Sequence, residues 1–208
     1  YDQPSKGILW GWEVSAYIVT KAIASGAYLV AMLAMFAGLL EMTDELWWQL
    51  IIVCIIFLGI TGILLVKDLD RPERFLYVLL RPNWDSWLVK GAYIIGAFGG
   101  ILACSGAVLF FDLESTYLGY LAIAGIPIAT LTGVYTAWLF GQASGRNWSK
   151  DRFLALKMLI EMLILGIATM AFLISSEVIH WVVAGILIFL VCKHAHSTVI
   201  DPQLETLH

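Results

Sequence analysis

Long apolar runs separated by short polar clusters dominate the chain. A helix needs about 20 mainly apolar residues to cross the hydrocarbon core of a membrane. Five of the runs reach this length, and a sixth near the C-terminus is shorter. We therefore predict an all-α integral membrane protein with about six transmembrane helices. The predicted spans are residues 14–40, 46–66, 87–111, 117–140, 154–174 and 178–192.

The composition agrees with this prediction. The 208 residues are 61% hydrophobic and 13% charged, with a mean hydropathy of +0.86. Because a soluble domain is about half apolar and about a quarter charged, soluble fold classes are excluded. Lys and Arg form no run of five or more. Membrane lipid is therefore an expected partner and nucleic acid is not.

Small residues spaced four apart recur within the apolar runs. In a membrane such pairs let two helix backbones approach closely. We therefore expect a tightly packed bundle. The pairs are Ala22 and Gly26, Gly96 and Gly100, and Ala129 and Gly133.

The charges of the loops predict the orientation in the membrane. Nine of the 12 Lys and Arg residues lie in the segments on the same side as the N-terminus. The three loops on the other side contain six acidic residues and no Lys or Arg. Loops rich in Lys and Arg stay in the cytoplasm. We predict a multi-pass protein of a cell inner membrane with its N-terminus in the cytoplasm.

Four ionisable residues lie within the predicted spans, namely Lys21, Lys90, Lys157 and Glu161. A charged group inside hydrocarbon costs about 2.5 kcal/mol or more, so it usually faces a partner or a hydrated cavity. Lys157 and Glu161 are four residues apart and share one helix face. One interpretation is a polar proton path on the cytoplasmic half. The alternatives are a Lys90 side chain that reaches the interface and a purely structural pair of Lys157 with Glu161.

The histidines and cysteines do not form a ligand set for a metal. A transmembrane haem needs two axial ligands on facing helices at matching depth, and the four histidines offer no such pair. The three cysteines lie in separate apolar runs, whereas zinc and iron–sulfur sites need several converging thiolates. We expect no haem or metal bound by this chain alone.

The most informative polar segment follows the second span, at residues 67–75 (KDLDRPERF). Its acidic and basic residues alternate around a proline, so ion pairs are expected to hold it as an ordered loop. The residues of this loop motif are Asp68, Asp70, Arg71, Pro72, Glu73, Arg74 and Phe75.

This segment, together with residues 81–87 (RPNWDSW), resembles the D-L-x-R-P-x-R-F … S-W motif of the polysulfide reductase membrane subunit family (NrfD/PsrC-like). That family includes the related membrane subunits of alternative complex III. The resemblance extends to residues 10–17 (WGWEVSAY) and 21–28 (KAIASGAY), which are similar to the family's first bundle helix. It is specific over about residues 7–105.

The resemblance implies a membrane subunit without a redox cofactor of its own. Such a subunit binds a quinone or quinol, either menaquinone or ubiquinone, near the outer face. It exchanges electrons with an extrinsic iron–sulfur subunit on the non-cytoplasmic side. A molybdopterin or cytochrome subunit commonly lies beyond that partner.

The resemblance also implies a fold of two four-helix bundles. On this template, residues 14–140 form a complete first bundle and residues 154–192 form two helices of a partial second one. The remaining segments, 1–13, 141–153 and 193–208, are then cytoplasmic. The full protein is expected to continue beyond the last residue.

The sequence is compatible with three functions: a quinone-interacting subunit, a proton-translocating module and a structural membrane anchor. A quinone ring needs an apolar slot with one or two hydrogen-bonding groups at its carbonyls. Quinol oxidation also needs a proton acceptor that titrates near the working pH. At the outer ends of the helices, these requirements select Asp112, Tyr120 and His180 as the predicted quinone site.

Overall fold

The computed structural model describes residues 12–67, 80–142 and 153–174, together with Gly185 and Ile188. The regular elements in these residues are α-helices. We number the five long ones in chain order: α1 (Trp12–Phe36), α2 (Asp44–Lys67), α3 (Trp87–Phe110), α4 (Ser115–Gln142) and α5 (Leu154–Ile174).

All five helices are long and apolar enough to cross a membrane. This confirms, for the described part of the chain, the prediction of an all-helical membrane protein. The predicted sixth span at 178–192 lies outside the described residues except for Gly185 and Ile188. It therefore stays a prediction, as does the division into two bundles.

The end of α1 differs from the predicted one. The helix ends at Phe36, four residues before the end of the apolar run at Leu40. Gly38 has a φ of +69°, and the Leu39 amide donates a 2.9 Å hydrogen bond to the Ala34 carbonyl. A glycine in the left-handed region after the last turn is a common helix stop. Hydropathy continues through this stop, so the apolar pattern alone placed the end too late.

Helix α1 is the centre of the assembly. In the segment of α1 that is apolar enough to span a membrane, 72% of the residues are buried, whereas in the corresponding segment of α3 22% are buried. Helix α1 packs against α2, α4 and α5, whereas α3 packs against α2 and α4. The helices α1 to α4 thus follow one another around a shared interior, and α5 covers the outside of α1 and part of α4.

Consecutive helices run in opposite directions. Lys67 at the end of α2 lies 3.5 Å from the Glu13 carboxylate at the start of α1. The Trp87 amide at the start of α3 donates a 2.9 Å hydrogen bond to the Gln142 side chain at the end of α4. We call this the proximal end, where α1 and α3 begin and α2 and α4 end. The other is the distal end.

Two glycines bring the backbones of α1 and α5 into contact. A Cβ atom on Gly26 would meet the Met162 carbonyl, and one on Gly166 would meet the Gly26 carbonyl. Direct backbone contact is how helices gain packing energy in a membrane, where hydrophobicity does not drive them together. The predicted pair on α3 differs, because a Cβ atom added to Gly96 or Gly100 would have no neighbouring atom within 4 Å. Spacing alone does not show which face of a helix meets a neighbour.

Two tyrosines fill the space between α1, α3 and α4, and each lies against a glycine of a neighbouring helix. Tyr28 of α1 lies against Gly125 of α4 and makes an edge-to-face contact with Phe98, with 5.3 Å between ring centroids. Tyr135 of α4 lies against Gly91 of α3. A ring occupies the volume that a side chain at either glycine would need, so the interior is filled by large–small pairs.

The contact between α1 and α5 predicts that Gly26→Ala lowers the thermal stability of the purified protein in detergent. We expect a loss of about 1–3 kcal/mol, as overpacking of a close interface usually causes. Gly96→Ala is the matched control, since its methyl group enters open space. A melting curve unchanged by Gly26→Ala, or one lowered equally by Gly96→Ala, contradicts the close crossing.

Candidate functional site

Lys21 of α1 lies at the centre of a polar cluster inside the bundle. Its side chain is fully buried, with 0% of its surface exposed. It lies nine residues into α1, which at about 1.5 Å per residue places it about 13 Å from the start of the helix. Its ammonium group donates a 2.7 Å hydrogen bond to the Thr136 hydroxyl of α4. The ammonium group is therefore too deep to reach the aqueous surface directly.

Two further groups compensate the buried charge. The ammonium nitrogen lies 4.4 Å from the centroid of the Tyr135 ring, where a cation is attracted to the aromatic face. The Glu161 carboxylate of α5 exerts an attractive electrostatic interaction on Lys21. The Thr136 hydroxyl in turn donates to the Met158 sulfur at 3.2 Å. The cluster therefore connects three helices, α1, α4 and α5, through one cation.

A pair of threonine hydroxyls joins α1 to α2 at a similar depth. The Oγ1 atoms of Thr20 and Thr61 are 2.8 Å apart. Each hydroxyl is also within hydrogen-bond distance of a carbonyl of its own helix, Tyr17 at 3.2 Å and Phe57 at 2.7 Å. A hydroxyl has one proton, so only one of the two can donate to the other at a time.

The other two lysines predicted for the proton path lie near the proximal end. Lys90 is half-buried, with its ammonium nitrogen 4.6 Å from the Trp87 ring centroid. Trp87 stacks on Trp138, with 5.1 Å between centroids. Lys157 is exposed in the first turn of α5. Of the four ionisable residues, Lys21 is the deeply buried one and interacts electrostatically with Glu161, whereas Lys90 occupies an interfacial aromatic site.

The predicted quinone residues fall at the distal end where they are described. Asp112 lies in the turn between α3 and α4 with a φ of +49°, and its side chain is exposed. Tyr120 lies in the second turn of α4 and is 65% exposed. His180 lies outside the described residues. Within the described residues, no three His, Cys, Asp or Glu side chains are close enough to hold a metal ion.

The segment 81–87, which follows the loop motif in the chain, packs against the end of α4. The Asp85 amide donates to the Asn83 side chain at 3.2 Å, which forms a tight turn. The Gln142 side chain accepts from the Trp87 amide and donates to the Asp85 carbonyl at 2.8 Å. The side-chain amide of Gln142 therefore attaches the start of α3 to the end of α4. The loop motif itself, Asp68 to Phe75, lies outside the described residues, and its predicted ion pairing stays a prediction.

Comparison with known protein families identifies one family. The family model described as "Polysulphide reductase, NrfD" matches residues 2–179, most of the chain. The chain belongs to the NrfD family. NrfD proteins are membrane subunits of redox complexes and generally partner with an iron–sulfur subunit. No curated protein matches this NrfD chain.

Sequence reasoning did not identify the neutral members of the Lys21 cluster. Tyr135, Thr136, Thr20 and Thr61 are uncharged, and neutral hydroxyls inside apolar runs usually bond to their own helix. The available signal is the concentration of polar residues in 132–136 (TGVYT), in the same half of the membrane as Lys21. Only the packing of α1 on α4 shows which of these hydroxyls meets the lysine.

The Lys21–Glu161 interaction predicts coupled effects on stability. Lys21→Met removes a buried cation that interacts with the half-buried Glu161 carboxylate, and we expect a loss of about 3 kcal/mol in thermal unfolding, near the low end for breaking a buried pair. The double variant Lys21→Met/Glu161→Gln should recover most of that loss. Lys157→Met is the comparison, since Lys157 is exposed and tests the alternative pair with Glu161. Additive effects of the two substitutions would show that the groups do not interact.

Proposed function

We propose that this NrfD-family chain is the quinone-interacting membrane subunit of a respiratory-type oxidoreductase complex. The observation that carries the proposal is the family match over residues 2–179, in a chain whose described residues form five helices able to span a membrane. Quinol oxidation releases two electrons and two protons. In the proposed complex the electrons pass to an extrinsic iron–sulfur subunit, and the protons leave through groups of this chain.

Quinone binding is proposed at the distal end, at Asp112, Tyr120 and His180. The support from geometry is that both residues are exposed at that end, Asp112 in the turn from α3 to α4 and Tyr120 in the second turn of α4. Exposed aromatic rings at a helix end provide an apolar wall, and a phenol and a carboxylate provide hydrogen bonds to quinone oxygens. Tyr117, 52% exposed and three residues before Tyr120, adds to that wall.

The partner is proposed to dock on the distal surface. Within the described residues, the turns at that end carry five exposed carboxylates and no Lys or Arg: Glu41, Asp44, Glu45, Asp112 and Glu114. This surface is complementary to a partner with a basic face. The excess of positive residues in the proximal loops supports a cytoplasmic proximal side in an inner membrane.

The proposed quinone site predicts slower quinol oxidation by the purified complex. Tyr120→Phe should lower kcat/KM about fivefold, because one hydrogen bond contributes about 1 kcal/mol. Loss of a proton acceptor in His180→Ala should lower it by about two orders of magnitude, and Asp112→Asn should also reduce it. Tyr93→Phe and Asp85→Asn, which change the same residue types at the proximal end, are the controls. Parental kcat and KM in all three distal variants would place the quinone site elsewhere.

A second candidate function, a proton path through the proximal half, is favoured by the buried Lys21 and its interaction with Glu161. A structural anchor has no need of a charge at this depth, which costs about 2.5 kcal/mol or more.

The test is proton uptake during quinol turnover in proteoliposomes. Lys21→Met/Glu161→Gln, which keeps the site neutral, should abolish proton uptake on the proximal side while quinol oxidation continues. Undiminished uptake excludes the path. A complex whose turnover and uptake are both insensitive to the distal and the buried substitutions would be held together by this chain as an anchor.

A further inference from the structure

The interior enclosed by α1 to α4 differs in polarity between its two halves. Lys21, Thr61 and Thr136 lie in the proximal half, and all three are fully buried. The distal half is filled by a layer of apolar side chains that are also fully buried. We call it the apolar layer: Met32, Leu50, Phe98, Leu102 and Ala122.

Hydroxyl and thiol groups near the apolar layer donate to backbone carbonyls. Ser105 donates to the Ile101 carbonyl at 2.9 Å, and Tyr28 donates to the Leu121 carbonyl at 3.3 Å. The Cys54 thiol donates to the Ala24 carbonyl at 3.2 Å. These protons are directed at backbone acceptors and not at one another. These bonds, in the described part of the distal half, do not form a chain of side-chain hydrogen bonds along the bundle axis.

The Thr20–Thr61 pair in the proximal half has two equivalent proton arrangements. Thr20 can donate to Thr61 while Thr61 donates to the Phe57 carbonyl, or Thr61 can donate to Thr20 while Thr20 donates to the Tyr17 carbonyl. Rotation of two hydroxyls converts one arrangement into the other. A hydrogen-bonded pair of this kind can take up a proton on one side and release another on the other side.

A second observation is a buried hydroxyl in the proximal half that is able to bind a water molecule. The Tyr135 hydroxyl is buried and has no hydrogen-bond partner among the described residues. Buried hydroxyls are nearly always bonded, and ordered water commonly satisfies those that protein groups do not reach. The Tyr135 ring lies over the Lys21 ammonium group, so a water bound by this hydroxyl would lie beside the polar cluster.

The proximal end supplies an entrance. Glu13 is seven residues before Thr20, two helical turns along one face of α1, and its ion-pair partner Lys67 is six residues after Thr61 on α2. The Glu13 side chain is 23% exposed and that of Lys67 is 59% exposed. The Glu13–Lys67 pair therefore marks the aqueous end of the groove between α1 and α2 that contains the two threonines.

We infer that this groove is a proton inlet, open only at the proximal end: Glu13 takes up a proton, the Thr20–Thr61 pair relays it, and the Lys21–Glu161 pair receives it. The apolar layer closes the inlet towards the distal end. Glu13 returns to a carboxylate when its proton moves on, and each hydroxyl gives up one proton as it gains another. The proton then resides on the Glu161 carboxylate, since Lys21 is already an ammonium ion. The inference rests on the second candidate function, the proton path.

Water access to single cysteines tests the inlet without requiring turnover. The full complex, with the native cysteines Cys104 and Cys192 replaced by Ala, is prepared in membrane vesicles of both orientations. Silver ions, which are small enough to follow a narrow hydrated path, are added from one side. Remaining thiols are counted afterwards by labelling the unfolded chain with a maleimide dye.

In a background that also lacks Cys54, Thr61→Cys should react about tenfold faster from the proximal side than from the distal side, since hydrocarbon excludes the ion. Thr169→Cys, a buried threonine on α5, is the matched control and should be protected. Leu102→Cys and the native Cys54, each tested as the single remaining thiol, should also be protected from both sides. Glu13→Gln should slow the reaction of Thr61→Cys several-fold, because the entrance loses its carboxylate.

Protection of Thr61→Cys from both sides would overturn the inlet. Reaction of Leu102→Cys from the proximal side would overturn its closure by the apolar layer. An unchanged rate in Glu13→Gln would remove Glu13 from the entrance. An accessible Thr61→Cys combined with normal proton uptake in Lys21→Met/Glu161→Gln would show a hydrated groove but reject proton transfer through it, whereas a protected Thr61→Cys would reject the groove itself, so the two failures are distinguishable.

Discussion

The arrangement of this bundle depends on one buried cation. The side chain of Lys21 is fully buried, and its ammonium group interacts with a hydroxyl of α4, an aromatic ring of α4 and a carboxylate of α5. A charge in this position requires partners from the surrounding helices, because the lipid provides none. The interaction therefore ties α5 to the helices that precede it. It also explains why α1, which carries the lysine, is surrounded on three sides by other helices.

Close packing makes that position possible. The contacts of Gly26 on α1 and Gly133 on α4 with Met162 of α5 bring three helices close enough for short side chains to reach the ammonium group. A threonine hydroxyl extends only a short distance from its helix, so Thr136 can accept from Lys21 only where backbones are close. Packing and electrostatics thus depend on each other in this half of the membrane.

The two proposed functions use opposite ends of the same helices. Quinone chemistry is proposed at the exposed aromatic and acidic residues of the distal end, and proton uptake at the buried cluster of the proximal half. The apolar layer, with Phe98 and Leu102 fully buried, lies between them. If both proposals hold, protons and electrons enter this subunit from different sides. The helices described would then connect the two processes mechanically or electrostatically and not by a continuous polar path.

Sequence alone determined the helical membrane class, the positions of five spans and the presence of ionisable groups within them. Hydropathy is a local property summed over about 20 residues, so it needs no knowledge of neighbours. The partner of Lys21 was a different matter. The i, i+4 spacing suggested Lys157 as a partner for Glu161; packing adds an electrostatic interaction of Glu161 with Lys21, 140 positions away in the chain, which the spacing did not show. The faces of the glycines and the meeting of Thr20 with Thr61 were likewise decided by tertiary structure. Each depends on how one helix is rotated against another, and the apolar pattern of these helices is too uniform around the axis to specify that rotation.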